Sequence, residues 1–281
     1  MQKRRLRAFN VGKEVFMEND RFEKPVRGLR KRLKNLHHDP AAAEIHNLRT
    51  RAREIEVVAG ALKGSDGKAR RVLKAIKPVR KAAGGVRDLD VLTADAMSLA
   101  GETDLKSMTR LVDSLIAMRE KSAAELVKVV ERKHKRMQRR LKRFGKRLNE
   151  EFAEGESGTR DSVRAAIEKL TGELKKWPAL SARNIHRFRL RLKELLALLQ
   201  LEADSDAGFA RAMRHAKKQI GEWHDWQKLR EMAGEILDAR RDRALLARIS
   251  KVVESRLAKA LAASNALRGR FLRSALRRNA A

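Results

Sequence analysis

Residues 185–199 read IHRFRLRLKELLALL, and this stretch decides the fold class. Its leucines at positions 192, 195, 196 and 199 follow the three- and four-residue spacing of one face of an α-helix. The same spacing recurs along almost all of the 281 residues, which contain only four prolines and no strand-like alternation. The sequence therefore predicts an all-α protein.

The stretch also begins with a pattern that occurs twice in the chain. Each copy places a histidine and two basic residues at positions i, i+3 and i+7: His46, Arg49 and Arg53 in the first copy, and His186, Arg189 and Lys193 in the second. Such positions lie within a wedge of about 60° on one helix face. The repetition predicts one helical unit used twice.

A second basic set lies downstream in each copy, with corresponding positions 137 residues apart. Its members are Lys74, Lys77, Arg80 and Lys81 in the first copy, and Arg211, Arg214, Lys217 and Lys218 in the second. One such stripe alone is usually a solvated helix face, because 67 residues of the chain are Lys or Arg. Four basic positions matched by four in otherwise diverged copies favour contact with phosphate groups.

The overall charge indicates the chemistry of the partner. The formal net charge is +31, from 67 basic and 36 acidic residues, and this excess repels itself in the folded state. A polyanion offsets such repulsion, and the candidates are nucleic acid, an anionic membrane or a phosphate polymer. The chain has eight Phe, three Trp and no Tyr, so it offers little for stacking bases. A phosphate polymer has no bases, and the duplicated basic surface suggests one long polyanion bound between the copies.

Composition also excludes several classes of site. The absence of cysteine excludes disulfides, thiol catalysis, iron–sulfur clusters and thiolate zinc sites. No apolar run approaches the ~18 residues of a membrane span. Residues 1–7 are basic, but no apolar signal core follows them. We therefore expect a soluble protein of the cytoplasm.

Proline, glycine and polar clusters predict where the helices end. The predicted breaks lie near residues 38–40, 64–67, 84–85, 101–104, 154–158, 177–178 and 204–206, and near Gly221. The segment 154–158 is the predicted seam between the copies.

Four polar residues accompany the two glycine-containing breaks. They are Arg87 and Asp88 in the first copy, and His224 and Asp225 in the second. Each aspartate has two open roles: the N-cap of a helix that starts at Leu89 or Trp226, or a carboxylate that orients neighbouring basic side chains. The histidines that begin the basic stripes also have two readings, as core residues or as phosphate donors, and we favour the donors because a nearby anion stabilises their charged form.

These motifs resemble the CHAD family, the conserved-histidine α-helical domain. The resemblance rests on the two His-led stripes, on residues 84–92 (GGVRDLDVL) and on residues 221–225 (GEWHD), and it spans about residues 20–265. The chain departs from the family at Glu54 and Glu56, where arginine is usual, and near Ala197, where tyrosine is usual.

The resemblance implies a fold and a function. Residues 1–281 would form a single domain of two pseudo-symmetric helical repeats, residues 15–152 and 158–275, around a basic central groove or pore. That surface would bind long-chain inorganic polyphosphate through the two His-led stripes and the two downstream basic sets, with Arg87, Asp88, His224 and Asp225 in support. The family implies no catalysis, no cofactor and no metal, and polyphosphate granules are a plausible place of action.

Three other interpretations stay open at this stage. A nucleic-acid-binding protein would use the basic tract of residues 132–143, although no groove-reading motif is recognisable. A metal-dependent phosphohydrolase would use His38-Asp39 and His224-Asp225 with His186, but the counterpart of His224 is Arg87, which cannot bind a metal. A granule-surface scaffold would bind acidic partners by general charge.

Overall fold

The computed structural model of the protein describes residues 24–62, 67–101, 105–153, 158–200 and 206–272. These residues form eight α-helices and contain no strand, which confirms the prediction of an all-α fold. The described part of α1 is 24–34, and the others are α2 Ala42–Leu62, α3 Gly67–Met97, α4 Leu105–Ala153, α5 Gly158–Lys175, α6 Ile185–Leu199, α7 Ala207–Ile236 and α8 Arg243–Leu267. A π-helical turn, Arg268–Leu272, follows α8. Within the described ranges, no helix is both long enough and apolar enough to cross a membrane.

The helices divide into two compact units. Unit 1 contains the described residues up to Gly84 together with Ala123–Ile167, and unit 2 contains Gly85–Ser122 together with the described residues from Glu168 onward. The long helices α3 and α4 each contribute one part to unit 1 and another to unit 2. The two pseudo-symmetric repeats and the central groove stay predictions.

The core of unit 1 is built from the apolar faces of α1 to α4. Its largest fully buried side chains are Leu29, Ile45, Leu48, Ile55, Ile76, Leu126, Met137, Leu141 and Phe144. Each such side chain contributes about 1.5–3 kcal/mol on burial. Two hydrogen bonds add to this packing, because Arg30 Nε donates to Gln138 Oε1 at 3.0 Å and Gln138 Nε2 donates to the Arg30 carbonyl at 2.9 Å. Together these contacts fix α1 against α4.

The core of unit 2 is built around α6, α7 and α8. Its fully buried residues include Leu111, Leu115, Ile185, Phe188, Leu192, Leu195, Met213, Ile220, Leu229 and Ile249. Trp177, which precedes α6, packs edge-on against Phe188 with 5.5 Å between ring centroids. The apolar stripe of residues 185–199 therefore faces this core, as its spacing predicts.

Several predicted helix ends are confirmed. The chain is non-helical at residues 38–40 and 177–178, α3 ends at Met97 before the turn at Gly101, and Asp206 is the N-cap of α7. The Asp206 carboxylate accepts hydrogen bonds from the N–H groups of Gly208 and Phe209. The parts of the predictions at 64–66, 102–104, 154–157 and 204–205, including most of the predicted seam, lie outside the described residues.

The predicted breaks at Gly84–Gly85 and Gly221 are wrong. Both sites lie inside continuous helices, α3 and α7. A glycine inside a helix costs only about 1 kcal/mol relative to alanine, and the packing of buried neighbours such as Ala83 and Ile220 outweighs that cost. Because Asp88 and Asp225 are therefore mid-helix, the N-cap role is wrong for both of them.

Candidate functional site

Arg189 of α6 lies directly against Gly221 of α7 in unit 2. A Cβ atom placed on Gly221 would lie 2.7 Å from Arg189 Nη2, which is closer than such atoms approach one another, and 3.3 Å from its Cζ, a tight contact. Gly221 is buried, so the guanidinium fills the space that a side chain would take. The absent side chain of Gly221 therefore makes room for the Arg189 guanidinium, and Gly221 does not break the helix.

Unit 1 contains a similar contact between α2 and α3. A Cβ atom placed on Gly84 would lie 3.7 Å from Arg49 Nε, an ordinary van der Waals distance. Gly84 and Gly221 correspond in the repeated sequence, and so do Arg49 and Arg189. Each unit thus places the arginine of its His-led stripe beside a glycine of a neighbouring helix, with the tighter contact in unit 2.

Two histidines face each other beside the Arg189 contact. The rings of His186 and His224 lie 4.0 Å apart between centroids, with 46° between their planes. Burial lowers the pKa of His224 to about 3, and the charges of His186, Lys228 and Arg189 act in the same direction. Burial also lowers the pKa of His186, followed by the charges of Arg189 and Lys193. Both rings are therefore uncharged at neutral pH, and a bound anion would favour their protonation.

The two predicted donor histidines differ in environment. His46 is exposed on α2, so it is not a core residue. His186 is partly buried, and its Nδ1 has no hydrogen-bond partner within the described part of the chain. The role of both as phosphate donors stays a prediction.

Carboxylates hold several basic side chains of unit 2 in place. Lys228 Nζ lies 2.5 Å from Asp88 Oδ2 and donates a hydrogen bond to it. Arg256 Nη1 of α8 donates to Glu222 Oε2 at 2.5 Å, and Lys218 Nζ lies 3.9 Å from Glu222 Oε1. These pairs fix the basic groups and reduce their mutual repulsion.

Asp225 and Asp95 lie in the same part of unit 2 and are partly buried. Burial raises the pKa of Asp225, while the nearby Arg189 guanidinium lowers it. Burial, followed by the Asp225 charge, raises the pKa of Asp95 to about 6, and the charges of Arg256 and Arg87 oppose that rise. The surroundings of Asp225 support the orienting role for this aspartate, and the Lys228 contact supports it for Asp88.

The basic stripe of α7 continues to the Arg189 contact. Arg211, Arg214 and Lys218 are exposed, and they share the three- and four-residue spacing of Gly221, Asp225 and Lys228. These positions therefore lie within about 100° on one helix face. Lys217 is partly buried beside this stripe. The α7 face thus carries a row of three exposed cations that lead toward Arg189 and Lys228, with the histidine pair beside them.

Unit 1 carries a shorter row on α3. Lys74, Lys77 and Lys81 are exposed and share a helix face with Gly84, beside which Arg49 lies. Arg53, one turn after Arg49 on α2, is partly buried.

Two glutamates of α2, Glu54 and Glu56, pair with arginines of unit 1. Arg80 Nε lies 3.0 Å from Glu56 Oε2, so this predicted phosphate ligand already has a carboxylate partner. Glu54 accepts a hydrogen bond from Arg51 Nη1 at 2.7 Å. Where the chain departs from the family pattern, the acidic side chains therefore neutralise neighbouring arginines.

A scan against known protein families matches residues 20–234 to the CHAD domain. The chain belongs to the CHAD family. A similar solved structure is the crystal structure of the CHAD domain from the plant Ricinus communis, with a TM-score of 0.61 and 14% sequence identity. The similarity covers 92% of this chain and 89% of that chain. No curated protein sequence matches this CHAD domain.

Three charged residues near the site of this CHAD domain, Lys228, Arg256 and Asp95, are not indicated by the sequence repeat. Lys228 has Val91 as its counterpart, so the repeat gives no signal for it, although it lies one turn after His224. Arg256 lies on α8, outside the compared segments, and Asp95 lies two turns after Asp88 on α3. The one-turn spacing of Lys228 from His224 is the signal that would have indicated it.

Within the described ranges, no group of three or more His, Asp or Glu side chains is placed to hold a metal ion. The described part of this CHAD domain instead combines basic rows with single carboxylate partners.

Proposed function

We propose that this CHAD domain binds long-chain inorganic polyphosphate without catalysing a reaction. The observation that carries the proposal is the α7 row of unit 2, in which exposed cations lead to Arg189 and to the carboxylate-held Lys228. From Arg211 to Lys228 the row is about 26 Å long at 1.5 Å per residue. A row of this length on a rigid helix suits a ligand with regularly repeated charges better than a single small anion.

The chemistry of the side chains supports phosphate as the repeated group. Arginine binds phosphate oxygens with two parallel hydrogen bonds, while lysine contributes a point charge. The uncharged histidine pair lies beside the row, and an approaching phosphate would raise the pKa of both rings. Proton uptake would then add positive charge where the anion binds.

The aromatic residues favour polyphosphate over single-stranded nucleic acid. Trp223 and Trp226 are 5% and 4% exposed, and Trp177 packs against Phe188. The three tryptophans therefore pack against the rest of the protein. Single-stranded nucleic acids are usually held by exposed aromatic side chains, which these tryptophans do not provide. Weak binding of nucleic acid through general charge is compatible with the proposal, and polyphosphate granules are the proposed place of action.

Direct titration with polyphosphate of increasing chain length tests the proposal. We expect the affinity to rise with chain length, because a chain that engages the basic rows of both units is held by two linked contacts. We also expect log Kd to increase linearly with log salt concentration, because binding releases counterions. No orthophosphate should appear when Mg²⁺ or Mn²⁺ is added. If triphosphate and long-chain polyphosphate bind with the same Kd per chain, the proposal is contradicted.

Gly221→Ala should weaken polyphosphate binding by about 5- to 10-fold while the protein stays folded. The new Cβ would displace the Arg189 guanidinium, whose end is flexible enough to move without unfolding the helix. The matched control is Gly234→Ala, also on α7, where an added Cβ meets nothing within 4 Å. Calorimetry on both variants gives the comparison.

A double-mutant test separates the Arg189 contact from a general effect on α7. In an Arg189→Gln background, Gly221→Ala should cause no further loss of affinity, because the displaced group is already gone. An additional loss of similar size in that background would show that Gly221 acts by another route.

A further inference from the structure

A small pocket in unit 1 lies between α3 and α4, and four cationic side chains line it. They are Lys74 from α3 and Lys133, Arg136 and Arg140 from α4. The remaining lining is apolar, and the pocket volume is about 200 Å³. Of the four cations, only Lys74 belongs to the basic sets found by comparing the repeats.

The α3 wall of the pocket is the turn that contains Pro78. Proline has no N–H group, so Pro78 cannot donate the helical hydrogen bond to the carbonyl of Lys74. Lys74, Ala75 and Pro78 all line the pocket, which places it at this weakened turn. The proline ring itself forms part of the apolar lining.

The charge in the pocket is uncompensated, unlike that of Arg80 or Lys228. No carboxylate lines the pocket, and none lies within ion-pair distance of its four cations in the part of the chain that the structure describes. Arg140 Nη1 donates a hydrogen bond to the Arg71 carbonyl at 3.0 Å, which holds its guanidinium at the site. Burial, followed by the charges of Arg136 and Arg71, lowers the pKa of Arg140.

The apolar lining strengthens the field of these cations. Met137 is 1% exposed and contributes to the lining together with Ala75. A low-dielectric wall concentrates the field of nearby charges on the solvent side. An anion that enters the pocket would therefore interact with the four cations more strongly than on an open helix face.

We infer that this pocket is a binding site for one phosphate group or a diphosphate. Its volume is below the roughly 300–1,000 Å³ of pockets that hold larger organic ligands, which favours a small anion. Two guanidinium groups and two ammonium groups match the oxygens and charge of a phosphate or diphosphate. Two sources supply such a group, free diphosphate and the end of a longer phosphate chain. The inference shares Lys74 with the proposed polyphosphate rows but does not depend on that function.

Calorimetric titration with diphosphate tests the inference on the full chain. The double variant Arg136→Gln plus Arg140→Gln should raise the Kd for diphosphate by about 10-fold or more, because two charge-assisted contacts are lost. The matched control is Arg139→Gln plus Arg143→Gln, which removes the same charge from exposed positions of α4 outside the pocket. The control should change the Kd by less than about 3-fold. Equal losses in both variants, or no saturable diphosphate binding by the unchanged protein, would overturn the inference.

A second variant keeps the test independent of folding. Lys74→Gln plus Lys133→Gln removes two pocket cations but leaves the hydrogen bond from Arg140 to the Arg71 carbonyl in place. It should weaken diphosphate binding without lowering the thermal unfolding temperature. If diphosphate binding is unchanged in a folded form of this variant, the pocket is not the binding site.

Long polyphosphate chains with free and with esterified ends distinguish the two sources and separate the two proposals. If the pocket holds chain ends, the Arg136→Gln plus Arg140→Gln variant should weaken binding of the chain with free ends and leave the esterified chain unaffected. This variant is used because neither arginine belongs to the basic rows found by comparing the repeats. If it holds free diphosphate, the Arg136→Gln plus Arg140→Gln variant should affect neither chain. Saturable diphosphate binding at the pocket without any long-chain binding would sustain the inference and overturn the proposed function. If long chains bind but the pocket variants and the control variant lose diphosphate affinity equally, the proposed function stands and the inference about the pocket is overturned.

Discussion

Replacing Arg49 and Arg189 together by glutamine should weaken the binding of long-chain polyphosphate by about 100-fold or more. Each arginine lies beside a glycine of a neighbouring helix, where the missing side chain leaves room for it. A hydrogen bond to a charged group contributes about 1.5–3 kcal/mol, and the double variant loses such contacts in both units. Calorimetry or filter retention with long-chain polyphosphate measures the loss.

A charge-matched control distinguishes these contacts from bulk electrostatics. Arg139→Gln plus Arg187→Gln removes the same charge from exposed residues of α4 and α6. Arg187 lies about 200° around α6 from Arg189, on a different face. The control should change the affinity by less than about 3-fold. A control variant as weak as the site variant would mean that net charge alone accounts for binding.

Asp242→Asn should lower the thermal unfolding temperature by roughly 10 °C. The carboxylate is fully buried in the connection between α7 and α8. It accepts hydrogen bonds from Ser107 Oγ at 2.6 Å, from the Asp238 N–H at 2.9 Å and from the Arg110 guanidinium. An asparagine would leave Arg110 without its charged partner and would offer the Ser107 hydroxyl a weaker acceptor. Circular dichroism melting at neutral pH measures the change.

The same carboxylate predicts a pH dependence of stability. The hydrogen bond from Ser107, with those from Asp238 and Arg110, holds the pKa of Asp242 well below its usual value. Its stabilising effect is therefore fully present above the unfolded-state pKa of about 4 and is lost as the pH falls toward the lower folded-state pKa. The unfolding temperature of the unchanged protein should fall between pH 5 and pH 2 more steeply than that of Asp242→Asn.

Asp113→Asn is the control for both effects. Asp113 is exposed on α4, one turn after Arg110, and carries the same charge. Its replacement should leave the unfolding temperature within about 2 °C of the unchanged protein. An equal drop for both variants would contradict the role given to the Asp242 network.

The helices and the His-led stripes could be predicted from the sequence because both follow the 3.6-residue period. The apolar face of residues 185–199 packs in the core, and the two arginines of the stripes occupy similar positions beside Gly84 and Gly221. The glycines lie inside helices and not at breaks, which could not be predicted because local sequence shows the propensity of glycine but not the side chain that approaches it from another helix. The wrong prediction of helix breaks carried over to the N-cap role of Asp88 and Asp225.

The carboxylate partners of the basic residues could not be predicted from the sequence. The contacts Lys228–Asp88 and Arg80–Glu56 join residues of different helices that no short motif connects. A net charge of +31 predicts a polyanionic partner, but it does not show which cations are already paired. The pocket cations of α4 could not be predicted from the repeat either, because α4 lies outside the repeated motifs.

Selective binding of long-chain polyphosphate is tested most directly by one calorimetric titration at physiological salt. The ligand is long-chain polyphosphate, and the comparison is DNA that carries the same total charge. We expect tight binding of polyphosphate and much weaker binding of DNA. DNA binding as tight as that of polyphosphate, or tighter, would contradict the proposed function.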